Sequence, residues 1–125
     1  MSKAQWMKEN IKKGEQYAGI ILSNNGQPDY HLVLLSATPG GRLTWGKAKE
    51  WASTVGGELP TRNEQSLLFA NLKHEFEAAW YWSSEQNAAS PDYAWMQDFG
   101  YGDQYYSHES YEYRARAVRR LLIIE

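Results

Sequence analysis

Pro60 and the four residues after it fix the centre of this chain. Proline lacks an amide hydrogen and bars a helix from running through it. Thr61-Arg62-Asn63-Glu64 then places a hydroxyl and a carboxylate at capping-box spacing, each side chain bonding the other residue's backbone N–H. The pattern predicts a helix from Thr61 onward, with Leu67, Leu68 and Leu72 as its buried stripe, joined by Phe69 and Phe76. Just upstream, Thr44 precedes Trp45, Ala48, Ala52 and Val55, spaced as one face of an amphipathic helix that stops at Gly56-Gly57. Thr44 is its predicted N-cap. Both helices are too short to persist without tertiary packing. The flanking segments must supply the surface they pack on.

Those segments read as strands. Residues 17–22 and 30–35 are apolar runs joined by Ser23-Asn24-Asn25-Gly26-Gln27-Pro28-Asp29, with Asn25-Gly26 as the turn signal of a β-hairpin. From Trp80 the period becomes two. Trp80, Trp82 and Ser84 oppose Tyr81 and Ser83, and Tyr93, Trp95, Gln97 and Phe99 alternate with Ala94, Met96 and Asp98. Ser90-Pro91-Asp92 and Gly100-Tyr101-Gly102-Asp103 separate these strands, and residues 113–124 are again strand-like. The order is an N-terminal hairpin, two short helices and an antiparallel meander, which is the α+β class. The hairpin and the last strand are expected to pair, bringing the termini together. Trp80, Trp82 and Trp95 are expected to build the core, facing Trp45 and Trp51. Residues 1–16 form an N-terminal arm in which Trp6, Met7 and Ile11 fit either a short amphipathic turn or two or a frayed end. Residues 17–125 form a single domain.

Composition narrows the chemistry. There is no cysteine, which excludes a disulfide scaffold, a thiolate zinc site and a cysteine nucleophile. A net charge of -2 argues against nucleic-acid binding, which needs a basic footprint. His31, His74 and His108 are scattered without ligand-like spacing, so no metal or cofactor is expected. Gln27-Pro28-Asp29 matches a tripeptide of calcium-dependent galactose lectins, but it sits in the first hairpin turn with no second oxygen cluster, and is expected to be a turn. No apolar run follows Lys3, and the longest apolar stretch, residues 121–124, cannot span a bilayer. The expectation is therefore cytoplasmic synthesis without a signal peptide and no membrane insertion. The final location is left open between cytoplasm and virion.

Several stretches occur together in a recognisable order: Leu43-Thr44-Trp45 with Ala48 and Trp51-Ala52, Gly56-Gly57-Glu58-Leu59-Pro60-Thr61-Arg62-Asn63-Glu64, Tyr81-Trp82-Ser83-Ser84, Ala94-Trp95, and Arg116-Ala117-Val118-Arg119-Arg120-Leu121. From Tyr17 to Leu121 the chain resembles a bacterial and phage domain family of unknown function, named for the C-terminal domain of a bacterial collagen-like adhesin. Gly14-Glu15-x-Tyr17-Ala18-Gly19 and Leu67-Leu68-Phe69-Ala70-Asn71-Leu72 resemble its phage and prophage branch. The resemblance implies a C-type-lectin-like fold. That fold serves sugar lectins, sulfatase-modifying enzymes and the diversified receptor-binding proteins of phage retroelements, so it implies binding without naming a ligand. It supplies no catalytic residues, and the cysteines used by the sulfatase-modifying enzymes are missing here.

The segment from Tyr101 to Tyr113 offers almost no aliphatic core former. Tyr101, Asp103, Tyr105, Tyr106, His108, Tyr111 and Tyr113 are the candidate ligand-binding residues, because Tyr gives stiff amphipathic contact area and small polar neighbours adapt hydrogen bonds around it. The same rings could instead pad a loop and half-buried strands. The expected function is a non-enzymatic recognition module of phage or prophage origin. It would bind a protein or glycan partner through these residues, helped by loop 85–92. An accessory or structural phage protein and an enzyme on the same fold are the alternatives. Self-association is open, since the Trp6 arm and residues 121–124 both need cover. Arg62 is given a structural role, either exposed or folded onto Trp82 or the sheet. Arg114, Arg116, Arg119 and Arg120 are expected to form a solvated or ion-paired strand face, with Arg114 and Arg116 on one side and Glu109 and Glu112 adjacent.

Overall fold

In a computed structural model, which describes residues 1–124, the first hairpin closes where Asn25 and Gly26 allow it. Both residues have positive φ (63° and 75°), which suits asparagine and glycine, and the flanking strands β1 (Gln16–Ile21) and β2 (Tyr30–Leu34) pair antiparallel. Asp29 Oδ1 accepts from the Ser23 N–H at 2.8 Å, so Gln27-Pro28-Asp29 serves the turn. Glu125, the last residue of the expected domain, lies outside the described residues.

Helices α2 (Trp45–Thr54) and α3 (Arg62–Leu72) follow, as the central motif dictates. The Thr61 hydroxyl accepts from the Glu64 N–H at 3.1 Å, and Glu64 Oε1 accepts from the Thr61 N–H at 2.8 Å. Thr44 occupies the N-cap of α2 with extended backbone, but its side chain makes no capping bond. Gly57 is needed for closure, because a Cβ there would lie 2.6 Å from the Val118 carbonyl oxygen. A 3-10 turn (Lys73–Glu75) leads into the meander β3 (Trp80–Gln86), β4 (Tyr93–Asp98) and β5 (Gln104–His108). The final strand β6 (Val118–Leu122) leaves that meander. It begins at Val118 rather than Tyr113, and residues 113–117 cross between the sheets.

The sheets are therefore two, both three-stranded and antiparallel, ordered β1-β2-β6 and β3-β4-β5. The last strand does pair with the first hairpin, through β2. One core cluster packs Trp45, Ala48 and Ala52 of α2 against Trp82 and Met96, with Trp51 and Trp80 partly buried beside it. The other packs Leu68 and Leu72 of α3 between Leu32, Leu34 and Val118 on one side and Tyr81 and Phe99 on the other. Burying such side chains contributes roughly 1.5–3 kcal/mol each, so these clusters hold the helices in place.

Three expectations change, and the alternative left open for the N-terminal arm is decided. The N-terminal arm contains helix α1 (Lys3–Asn10) and is docked, with Trp6 packed against His31 at 4.0 Å between ring centroids and 36° between planes. Trp95 is outside both core clusters and stands half-buried beneath the Arg62 guanidinium on the other face of β4 from the buried Ala94 and Met96. Arg114 is exposed whereas Arg116 is buried, donating to the carbonyls of Glu75 and Leu35, so the two do not share a face. Arg119 and Arg120 are ion-paired, but with Glu15, Glu58 and Glu64 rather than the neighbouring acids.

Candidate functional site

Strand pleat and register assemble the site. Cross-strand partners share a face, so Tyr93, Trp95 and Gln97 of β4 stand beside His108, Tyr106 and Gln104 of β5. The rings form a continuous strip: Trp95 to Tyr106 at 5.2 Å, Tyr106 to Tyr93 at 5.9 Å, Tyr93 to His108 at 5.3 Å and His108 to Tyr111 at 6.2 Å. The first three contacts are edge-to-face, with interplanar angles of 79°, 85° and 80°. Such contacts add roughly 0.5–1.5 kcal/mol each beyond burial, which holds the rings in fixed orientations.

One end of the strip is locked to α3. The Arg62 guanidinium lies 3.5 Å from the centroid of Trp95, and its Nε donates to Gln104 Oε1 at 3.1 Å. The Gln104 amide nitrogen donates in turn to the Arg62 carbonyl at 2.8 Å and to Gln97 Oε1 at 2.7 Å. Arg62 thus folds onto the sheet, over Trp95 rather than Trp82. At the other end the Ser110 N–H donates to His108 Nδ1 at 3.2 Å. Ser90, Ser107 and Ser110 join Tyr93, Tyr105, Tyr106, His108 and Tyr111 around an open groove of about 730 Å³. Loop 85–92 reaches the groove at Ser90.

The candidate residues do not all meet there. Tyr105 and Tyr111 are 57% and 60% exposed and line the groove, with Tyr106 and His108 half-buried between them. Tyr101, 86% exposed, and Asp103 stand in the turn beyond the far end of β5. Tyr113 is a core-border residue. Its ring meets Trp82 edge-on at 5.1 Å, its hydroxyl bonds Ser107 Oγ at 2.9 Å, and its backbone pairs with Leu43. Sequence reasoning missed Tyr93 and Arg62 and placed Trp95 inside. The alternation of residues 93–98 already put Tyr93 and Trp95 on one face; what it could not say was that helix α3 stops short of covering them.

The most perturbed titratable groups lie elsewhere, where α3 meets β2 and β6. Burial alone would raise the Glu64 carboxyl, yet hydrogen bonds from Arg120, Tyr30 and the Thr61 backbone hold it below the usual carboxylate range. Burial, reinforced by Glu64, pushes the Tyr30 phenol up to about 12. Glu64 has no exposed surface, and its oxygens accept from Thr61 N at 2.8 Å, Tyr30 Oη at 2.5 Å, Arg120 Nη2 at 2.8 Å and Arg120 Nε at 2.6 Å. A carboxylate so enclosed has neither access to a substrate nor capacity left to take its proton. It is a structural clasp. Among the described residues, no three His, Asp or Glu side chains are grouped to hold a metal ion, and no helix is long and apolar enough to cross a membrane. No protein-family model matches the chain, and none of the curated proteins matches it.

Proposed function

We propose that the chain is a non-enzymatic recognition module with a C-type-lectin-like fold, of phage or prophage origin, which binds a protein or glycan partner through the tyrosine strip on β4 and β5. The finer fold assignment is supported by the motifs quoted above and by the order β1-β2-β6, in which the first and last strands flank β2 and the second sheet is inserted between them. The phage setting rests on the resemblance alone.

One observation carries the functional conclusion: Tyr105 on β5 and Tyr111 in the bend just after it are more than half exposed, beside a sheet whose Trp82 is sealed in the core. Large amphipathic rings held stiffly at the surface lose little entropy on binding. The test replaces Tyr105, Tyr106 and Tyr111 together by Ala and measures both stability and binding in a glycan-array and host-cell-surface screen. Stability should fall by no more than about 2 kcal/mol, against roughly 3–5 kcal/mol for one buried aromatic truncated to Ala. Binding should disappear. A collapse in stability would make these rings packing and remove the proposal.

A second reading, an accessory component of a phage assembly, draws on a different place. Ile20, Leu22, Leu122 and Ile124 are exposed around the end of the first sheet where Ile21, Tyr30 and Leu122 stand in register. Sedimentation of the isolated chain as a single species across concentrations would count against self-assembly through this end.

A further inference from the structure

Each sheet has edges, and an uncovered edge presents unpaired N–H and C=O groups to any extended chain. Three of the four edges here are managed. Outside β3, the Trp82 N–H donates to the Arg114 carbonyl at 3.0 Å and the Arg114 N–H to the Trp80 carbonyl at 3.2 Å. Outside β6, Glu58 and Val118 exchange both backbone bonds, at 3.0 and 2.8 Å. The β1 edge carries a bulge between Tyr17 and Gly19. Among the described residues, no such backbone bond covers Gln104 or Tyr106 on the outer edge of β5. Its register with β4 is unbroken, and Gln104-Tyr105-Tyr106-Ser107-His108 contains no proline, lysine or acid.

The bonding pattern says which groups are free. The Asp98 N–H donates to the Asp103 carbonyl at 2.8 Å, and the Glu109 N–H to the Asp92 carbonyl at 2.9 Å. In an antiparallel ladder these bonds alternate, so Tyr105 and Ser107 also bond inward to β4. Gln104, Tyr106 and His108 turn their N–H groups outward, as Gln104 and Tyr106 do their carbonyls. The His108 carbonyl already accepts from the Tyr111 N–H at 3.1 Å.

Charge selects the occupant. Asp103 and Glu109 bracket the strand, six positions apart, and Glu109 Oε1 also accepts from Gln86 Nε2 at 3.3 Å. A second copy pairing antiparallel about Tyr106 would set Asp103 against Glu109 at both ends, and like charges directly opposite destabilise a ladder. A foreign strand with basic residues at those two places gains attraction instead. We propose that β5 accepts an extended peptide as a fourth, antiparallel strand, with Lys or Arg opposite Asp103 and Glu109 and β-branched residues opposite Tyr106. This rests on the assignment of the tyrosine segment as the recognition surface and narrows the partner to a polypeptide, recognised by strand addition.

The test uses the full chain and a synthetic peptide with lysine at both ends, six positions apart, and threonine and valine alternating between. Amide hydrogen exchange should slow at Gln104, Tyr106 and His108 on peptide addition, while Tyr105 and Ser107 stay as they were. Replacing both lysines by glutamate, or N-methylating the peptide nitrogens that face the edge, should weaken binding about tenfold or more. Asp103→Lys with Glu109→Lys should reverse the preference towards a glutamate-ended peptide. Unchanged exchange at millimolar peptide, or binding indifferent to N-methylation, would overturn strand addition. Protection at these amides that rises with protein concentration alone would overturn it in favour of a second copy. A glycan or cell-surface ligand lost on triple tyrosine substitution, with no peptide effect, would overturn it while leaving the recognition surface standing.

Discussion

Glu64 uses one carboxylate to cap α3 and to hold the last strand against it. The capping half is legible in the sequence because its partner is three residues away. The other half is not, because Arg120 lies 56 residues downstream and becomes a neighbour only when β6 returns beside β2. Removing the buried partner leaves Arg120 with only the exposed Glu58 carboxylate among the described residues, so Glu64→Gln should cost about 3 kcal/mol in urea unfolding at pH 7. The folded carboxyl titrates below its ordinary value of 4.5. The stability it adds is therefore complete above about pH 4.5 and is lost as pH falls through the lower folded value. The gap between wild type and Glu64→Gln should close in acid. At the alkaline end, Tyr30 keeps its proton to about pH 12 while the unfolded chain gives it up from 10, so stability should decline across that interval.

Helix α1 belongs to a different scale of stability. None of its residues is buried, and it is held by Trp6 packed at a tilt against His31 and Tyr17 and by Arg119, which donates to the Asn10 carbonyl at 2.6 Å and to Glu15 Oε1 at 2.7 Å. An arm with Trp6, Met7 and Ile11 is compatible with order or fraying, and what decides between them is an arginine more than a hundred positions away. The meander was more legible, since period-two alternation is local; which of its faces stays open depends on where α3 ends. Trp6→Ala should let the amides of residues 3–10 exchange freely while core amides stay protected, because regions with few buried contacts open independently. Burial holds the His31 imidazole below its ordinary 6.5, so the docked state prefers the neutral ring. Docking is therefore full above about pH 6.5 and weakens as pH falls towards the lower docked value. In acid, protection of α1 should be lost before that of β2 and β6.

For the whole molecule, the order of elements was readable from capping, turns and periodicity, and so was the return of the last strand to the first hairpin. What local patterns do not encode is how unequal the two ends of the chain are. The C-terminal strand sits against β2, places the buried Val118 in the second core, bonds Glu58 across its outer edge and supplies Arg120, the one cation paired with Glu64 among the described residues. The N-terminal helix lies on the outside of that same sheet. Deleting residues 118–125 would therefore strip β2 of a neighbour and leave Glu64 as an uncompensated charge inside the domain, a loss that exceeds what a small domain can absorb. It should abolish the cooperative thermal transition seen by circular dichroism, in both sheets at once, since the second core spans them. Deleting residues 1–12 should leave that transition cooperative and lower its midpoint by no more than about 8 °C. A cooperative transition surviving the C-terminal deletion would mean that β3-β4-β5 and α2 fold on their own, and the tyrosine strip would then owe nothing to the first sheet.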